Sequence, residues 1–388
     1  MTRASQAERQ LILFSAGTSA RRLATSGRAG RLIAGVDWPR LAETLYLRRL
    51  LPTLGPRIVE LAEGRASEDF CMAVERAVEA GHRHGAFLQL VSLRAIEMLA
   101  DAGIRCSALK GPLLGEEIYG SPGRRPSGDV DLLVPPEQLP NAVEVIRGLG
   151  YAAPTDYVDA RGLPLLHLML VHERSELPPV EIHWRVHWYE ASFAPERLLP
   201  PAPKPRGDWR PAPADELVAL LLFYARDGFS DLRLASDLGA WWDIHGAALP
   251  AGALNEQMRA YPALARTIQA ATKVAESVVG LPAEQIIGDT DRLGFRGSMA
   301  VRLANPHPRT SRSQQYADMG LIDGLLMPAG GFRAFVNRQV LPPPEVRNQH
   351  ARHAARRRAR PSLVRGAGVI GRYGLTMTRL LRTPETLS

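Results

Sequence analysis

The sequence predicts an α+β protein in which one compact sheet module lies between two helical regions. Three observations support this fold class. Residues 1–102 show the apolar spacing of helices, residues 103–198 change to short apolar runs separated by Gly and Pro turns, and residues 214–300 return to long helical stretches. We expect a Pro-rich connector at 199–213 and a basic C-terminal region at 301–388.

Composition places the chain among ordinary globular proteins. Of 388 residues, 45% are hydrophobic and 23% are charged, which excludes a disordered or fibrous protein. The longest apolar run, Leu217 to Ala225, is far shorter than the ~20 residues of a membrane span. No secretory signal is evident, and Cys71 and Cys106 form no metal or disulfide motif. We therefore expect a cytoplasmic protein.

The positive charge is concentrated at the C-terminus. From Gly331 onward, twelve arginines stand against two glutamates, a surplus of ten positive charges. Because the whole chain carries +8, the preceding residues carry a surplus of two negative charges. A nucleic-acid partner is therefore not expected for the body of the protein. An anionic partner for the Arg-rich tail, with its run at Arg352–Arg360, stays open.

The predicted elements follow one another in a regular order. Ser67 caps a helix that runs to Ala102 and ends at Gly103. The module then reads as strand, helix, strand, helix and strand pair: Ile104–Leu109, Leu113–Tyr119, Val130–Val134, Glu137–Leu149, Leu163–Val171 and Val180–Trp188. Residues 120–128 form a loop rich in Gly, Pro, Ser and Arg. Two further helices are predicted at Asp215–Gly246 and Asn255–Val279.

Two aspartates at the start of the second strand are the main candidates for chemistry. Asp129 and Asp131 are two residues apart, so a strand places both carboxylates on one face. Glu181 lies in another alternating strand and is a candidate third carboxylate. Carboxylate oxygens suit Mg²⁺, and two such ions can promote phosphoryl displacement.

The residues upstream of these aspartates are suited to an anion. Lys110 and Gly111 follow a strand and open a short helix, whose N-terminus favours negative charge. Arg125 and Ser127 lie in the loop before Asp129, as does Arg124, and arginine forks match phosphate oxygens.

The histidines are weaker candidates for metal or phosphate binding than the carboxylates. His183 and His187 share a predicted strand face with Glu181 and Arg185, where they could help to bind metal or phosphate. His167 and His172 have opposite strand parity, so we do not expect them to share one site.

These parts together resemble the uncharacterised nucleotidyltransferase family of the DNA polymerase β-like superfamily. The resemblance rests on Leu109-Lys110-Gly111, on the string from Tyr119 to Val134 that contains Arg-Pro-Ser-Gly-Asp-Val-Asp, and on Glu181-Ile182-His183-Trp184-Arg185. It implies a small mixed sheet that carries the metal carboxylates, with helices at its flanks.

The resemblance also implies a reaction. An NMP would pass from an NTP to an acceptor with two Mg²⁺ ions, at catalytic and metal-binding Asp129, Asp131 and Glu181. Lys110, Gly111, Arg125, Ser127, His183 and Arg185 would contact the nucleotide. A small molecule, a peptide or a protein hydroxyl is the expected acceptor.

Two other functions stay open. The same carboxylates could serve a kinase that transfers the γ-phosphoryl group. The chain could also be a degenerate nucleotide-binding partner in a biosynthetic complex, because its third carboxylate is Glu181 where Asp is usual. The family also often has histidines in the helix after the connector, where this chain has Tyr224-Ala225-Arg226-Asp227.

Overall fold

The computed structural model describes residues 5–153, 166–174, 176–206, 208–288, 293–306 and 312–339. Helices dominate these residues, and one five-stranded mixed sheet lies among them, so the predicted α+β class is confirmed. No helix in these ranges has the length and apolar character needed to cross a bilayer. The Arg352–Arg360 run lies outside the described residues.

The N-terminal helices end in one long helix that supports the sheet. They are α1 (Gln6–Ala16), α2 (Ser19–Ile33), α3 (Trp38–Leu47), α4 (Leu51–Ala62) and α5 (Glu68–Asp101). As predicted, Ser67 caps α5, and its side chain accepts a hydrogen bond of 3.3 Å from the Phe70 N–H. Leu88, Ile96 and Leu99 of α5 are buried against the sheet module.

The sheet has a mixed topology. Its strands are β1 (Ser107–Ala108), β2 (Val130–Leu133), β3 (Tyr151–Ala152), β4 (His167–His172) and β5 (Val180–His183), and its helices are α6 (Pro112–Tyr119) and α7 (Leu139–Gly148). The strand order is β1-β2-β5-β4-β3. β2 and β5 are parallel neighbours, and the other pairs are antiparallel.

Several strands differ from the prediction. β1 is much shorter than Ile104–Leu109, β3 was not predicted, and residues 163–165 of the expected strand Leu163–Val171 lie outside the described residues. β5 ends at His183 rather than at Trp188. The buried Glu190 carboxylate accepts hydrogen bonds from the N–H groups of Val186, His187 and Ala194, so a side chain bonds this backbone in place of a neighbouring strand.

The C-terminal half is helical. It contains α8 (Phe193–Arg197), α9 (Pro213–Arg226), α10 (Leu232–His245), α11 (Asn255–Ala260), α12 (Pro262–Val279), α13 (Ala283–Ile287), α14 (Gly294–Leu303), α15 (Arg312–Leu326) and α16 (Phe332–Gln339). The helix predicted over Asp215–Gly246 is broken because Gly228 and Phe229 take φ values of +64° and +58°. The helix predicted over Asn255–Val279 is divided at Pro262.

Helix α9 joins the helical half to the sheet module. Its residues from Leu217 to Tyr224 are all buried, which is typical of a helix enclosed by other elements. Leu133 of β2 belongs to the same apolar cluster as this helix. The C-terminal end of α9 lies close to the sheet module, because Lys110, which follows β1, and Arg226 both lie over the Phe223 ring.

Candidate active site

Strand pairing brings the three predicted carboxylates together. β2 and β5 are parallel, and Asp131 is the register partner of Glu181. Asp129 lies two residues before Asp131, so alternation of side chains directs it to the same face. One oxygen from each of the three carboxyl groups lies within 4.8 Å of the others. The sheet thus concentrates negative charge at one point.

Lys110 and Gly111 lie next to this cluster. The Lys110 ammonium is 3.3 Å from Asp131 Oδ1 and 5.5 Å from the centre of the Phe223 ring. Gly111 precedes α6 with a φ of +90°, a conformation that favours glycine, although a Cβ there would meet Ser127 Oγ at an ordinary 3.6 Å. The N-terminal end of α6 and the lysine together form a positive edge beside the carboxylates.

Arg125 has a different environment from the one expected of a phosphate ligand. Its side chain is 2% exposed, and its Nε donates a 2.8 Å hydrogen bond to Asp237 of α10, which is fully buried. Its Nη1 donates to Ser127 Oγ at 3.2 Å, and the Tyr119 hydroxyl donates to Asp237 at 3.0 Å. Arg125 therefore fixes the loop before Asp129, and this geometry does not favour direct contact with phosphate.

The same loop, residues 120–128, is held from two other sides. Gly123 packs so closely on α5 that a Cβ would come within 2.0 Å of the Gly81 backbone. Arg233 Nη1 donates a 2.8 Å hydrogen bond to the Pro126 carbonyl, and the Thr53 hydroxyl donates to the Arg124 carbonyl. Helices α4, α5 and α10 therefore set the position at which the chain enters β2.

Two histidines border the carboxylates. His183 Nε2 lies 3.0 Å from Asp131 Oδ1 and 3.3 Å from Glu181 Oε2. His167, the register partner of His183 in β4, has its Nε2 3.6 Å from Glu181 Oε1. His172 is remote from this group and packs on Tyr151, in agreement with its opposite strand parity.

The sequence Trp184 to Glu190 turns away from the sheet. Trp184 and His187 are buried and Arg185 is half-buried, in a loop organised by the Glu190 carboxylate. His187 and Arg185 are therefore not strand neighbours of Glu181 and His183, and the predicted shared face is wrong for these two residues.

Burial and neighbouring charges change the pKa values of the carboxyl groups. Burial, followed by the Asp131 charge, raises the pKa of Asp129. Burial also opposes ionisation of Asp131, but the Lys110 charge and the hydrogen bond from His183 hold its pKa below the ordinary value. Burial opposes ionisation of Glu181 as well, and its bonded partner His183 and the nearby His167 lower its pKa overall. The cluster is therefore anionic at neutral pH, and a further cation near Asp129 would relieve the repulsion.

The donor set fits a hard divalent cation. Asp131 Oδ2 is buried without a hydrogen-bond partner, although an ionised oxygen normally has one. The positive charge of Lys110 offsets the negative charge of only one of the three carboxylates, Asp131. Mg²⁺ takes oxygen ligands and is commonly held by one or two carboxylates together with substrate phosphates. Asp129, Asp131 and Glu181 could supply these ligands.

The family model of uncharacterised nucleotidyltransferases matches residues 34–280, which is more than half of the chain. The chain belongs to this family. The match covers the carboxylate cluster, the Lys110–Gly111 turn and the helix that carries Asp237, and it confirms the family resemblance. No curated protein and no solved structure matches the chain.

Three residues of this nucleotidyltransferase family member were not predicted as site residues. His167 lies beside Glu181, and the predicted strand pair did not fix the register that sets His167 opposite His183. Arg226 of α9 lies over the Phe223 ring, 4.9 Å from its centre. Burial lowers the pKa of His167, and the nearby charges of His183 and Arg226 lower it further. Asp237 lies 112 residues from Arg125, and no sequence signal linked the two.

Proposed function

We propose that the protein transfers a nucleoside monophosphate from an NTP to an acceptor hydroxyl, with Mg²⁺ bound by Asp129, Asp131 and Glu181. The convergence of these three carboxylates beside Lys110 and the start of α6 is the observation that carries the proposal. Family membership supports the same class of reaction.

The proposed roles follow from position. Gly111 and the free N–H groups of α6 bind triphosphate oxygens, and Lys110 and Ser127 add a cation and a hydroxyl at the same edge. Glu181 accepts the proton of the acceptor hydroxyl. Mg²⁺, when bound, would polarise the reacting phosphoryl oxygens and stabilise the leaving group. Before metal binds, His183 holds Asp131 and Glu181 in line, and it is also a proposed nucleotide contact together with Arg185.

We assign Arg125 to positioning of the loop rather than to direct phosphate binding. Its fork is already engaged by Asp237 and Ser127 inside the protein. Release of this guanidinium to a nucleotide would leave the Asp237 carboxylate buried without its ion-pair partner, which is costly.

The proposed acceptor is a small molecule, a peptide or a protein hydroxyl. Residues before Gly331 carry a slight negative surplus. A polymer of phosphates binds through clustered Lys and Arg, so this charge balance does not favour a nucleic-acid acceptor.

The test uses the full chain with each of the four NTPs, Mg²⁺ and a panel of sugars, hydroxyamino acids and Ser-, Thr- or Tyr-containing peptides. We expect pyrophosphate release and a nucleotidylated acceptor. Asp131→Asn should lower the rate at least ~100-fold, because a metal ligand stabilises several kcal/mol of transition-state charge. Glu144→Gln, at an exposed position of α7, is the matched control.

The products also separate the alternatives. An NDP and a phosphorylated acceptor would indicate a kinase. Tight Mg²⁺-dependent NTP binding, measured by calorimetry, without turnover on any acceptor would indicate a nucleotide-binding partner protein. Full activity of a folded Asp131→Asn variant would contradict the assignment of the site.

A further inference from the structure

Two imidazoles extend the carboxylate cluster on the side away from Asp129. His167 and His183 are direct register partners in β4 and β5, and their ring centres are 4.8 Å apart. Their Nε2 atoms lie on different oxygens of one carboxylate, at 3.6 Å from Glu181 Oε1 and 3.3 Å from Glu181 Oε2. One ligand atom from each of the three residues lies within 4.8 Å of the others.

This triad differs chemically from the carboxylate cluster next to it. Asp129, Asp131 and Glu181 offer oxygen donors alone, which suit Mg²⁺. His167, Glu181 and His183 offer two nitrogens and one carboxylate, and imidazole nitrogen is preferred by divalent transition ions. Glu181 belongs to both groups, and each of its oxygens lies near a different imidazole.

The position of the triad also suits a second cation. Ions in two-metal phosphoryl-transfer sites are about 4 Å apart and often share a carboxylate. Glu181 is the residue that both groups contain here. Asp131 is the register partner of Glu181, and His167 is the register partner of His183, so backbone pairing within the sheet, rather than a loop, fixes these donors.

We infer that His167, Glu181 and His183 form a second metal subsite that binds a divalent transition ion such as Mn²⁺ in preference to Mg²⁺, adjoining the oxygen-donor subsite. This inference deepens the proposed function and rests on it. On metal binding, His183 Nε2 exchanges its contact with Asp131 for the ion. The Asp131 carboxylate is then free to turn towards the neighbouring subsite.

The test measures Mn²⁺ binding to the full chain without nucleotide, and electron paramagnetic resonance monitors the binding. Titration gives the affinity, and pulsed measurement detects magnetic coupling from a directly bonded ¹⁴N. We expect nitrogen coupling in the wild-type protein and retention of Mn²⁺ against a 100-fold excess of Mg²⁺. His167→Gln should reduce the coupling and weaken Mn²⁺ binding at least ~10-fold.

His172→Gln is the matched control, because it removes an imidazole from the same strand at a position that packs on Tyr151 outside the cluster. This variant should bind Mn²⁺ as the wild type does. His167 is 37% exposed, so its replacement should leave the fold intact, and circular dichroism checks this for both variants.

Bound Mn²⁺ without nitrogen coupling in the wild-type protein would overturn the inference, and so would equal losses of affinity in His167→Gln and His172→Gln. Failure to bind Mn²⁺ would overturn it as well; the imidazoles would then act as hydrogen-bond partners of the carboxylates. In each case, pyrophosphate release with Mg²⁺ alone still decides the proposed function separately.

Discussion

The buried ion pair between Arg125 and Asp237 should dominate the stability of the loop before Asp129. Both side chains are almost completely excluded from solvent, at 2% and 0% exposed. Asp237→Leu has a similar side-chain volume and leaves the guanidinium buried without its anion. Loss of one partner of a buried pair costs about 3–5 kcal/mol. Tyr119 also loses an acceptor in this variant, although its hydroxyl stays 3.2 Å from Ser236 Oγ.

The assay is equilibrium unfolding in urea as a double-mutant cycle. Arg125→Met combined with Asp237→Leu removes both charges, so the double variant should recover most of the cost of the unpaired charge and be more stable than Asp237→Leu alone by about 3–5 kcal/mol. The control is Glu144→Ala, which breaks an exposed pair with Arg147 at 3.0 Å and should cost at most about 1 kcal/mol.

The cycle can refute the reasoning in two ways. A cost below ~1 kcal/mol for Asp237→Leu would show that water reaches the guanidinium and solvates it. A double variant whose loss equals the sum of the single losses would show that the two side chains are not energetically coupled.

Three further predictions follow from the structure. Gly111→Ala should cost about 1–3 kcal/mol in urea unfolding, because φ +90° with ψ −146° is a backbone conformation that is essentially restricted to glycine, and it should raise the KM for NTP. A thiol reagent should label the half-buried Cys71 in the native protein and leave Cys106 unlabelled until unfolding, because Cys106 is buried and burial raises its pKa. Burial raises the pKa of Glu190 from 4.5 to about 7, so the unfolded chain loses this proton first as pH rises. The free energy of unfolding should therefore fall by on the order of 3 kcal/mol between pH 4.5 and 7 because of this group. Glu190→Gln should remove this contribution to the pH dependence of the free energy of unfolding, measured with urea.

The sequence predicted correctly those features that depend on residues a few positions apart. Alternation of side chains placed Asp129 and Asp131 on one face, and it also placed Glu181 and His183 on one face, independently of any partner strand. Ser67 marked the start of α5 for the same reason, since a cap acts on N–H groups within three residues.

Long-range pairing accounts for what the sequence did not reveal. His167 reaches Glu181 because β4 lies next to β5, whereas β2 takes the opposite edge of β5 as its parallel partner. The predicted strand pair gave β4 and β5 as neighbours, but the strand patterns fix neither their register nor the pairing of β2 with β5. The early end of β5 depends on Glu190, whose carboxylate bonds backbone N–H groups that alternation alone would assign to a strand.

The position of Arg125 shows why the helical regions belong to the site. The sheet module at 103–198 contains every predicted site residue, yet Asp237 and Arg233, which hold its loop, come from α10, and Thr53 comes from α4. Phe223, over which Lys110 lies, comes from α9. The sheet register can bring the carboxylates together, but the path of residues 120–128 depends on these helices. The proposed triphosphate-binding edge at Gly111 and Ser127 therefore depends on helices α4, α9 and α10 as well as on the sheet.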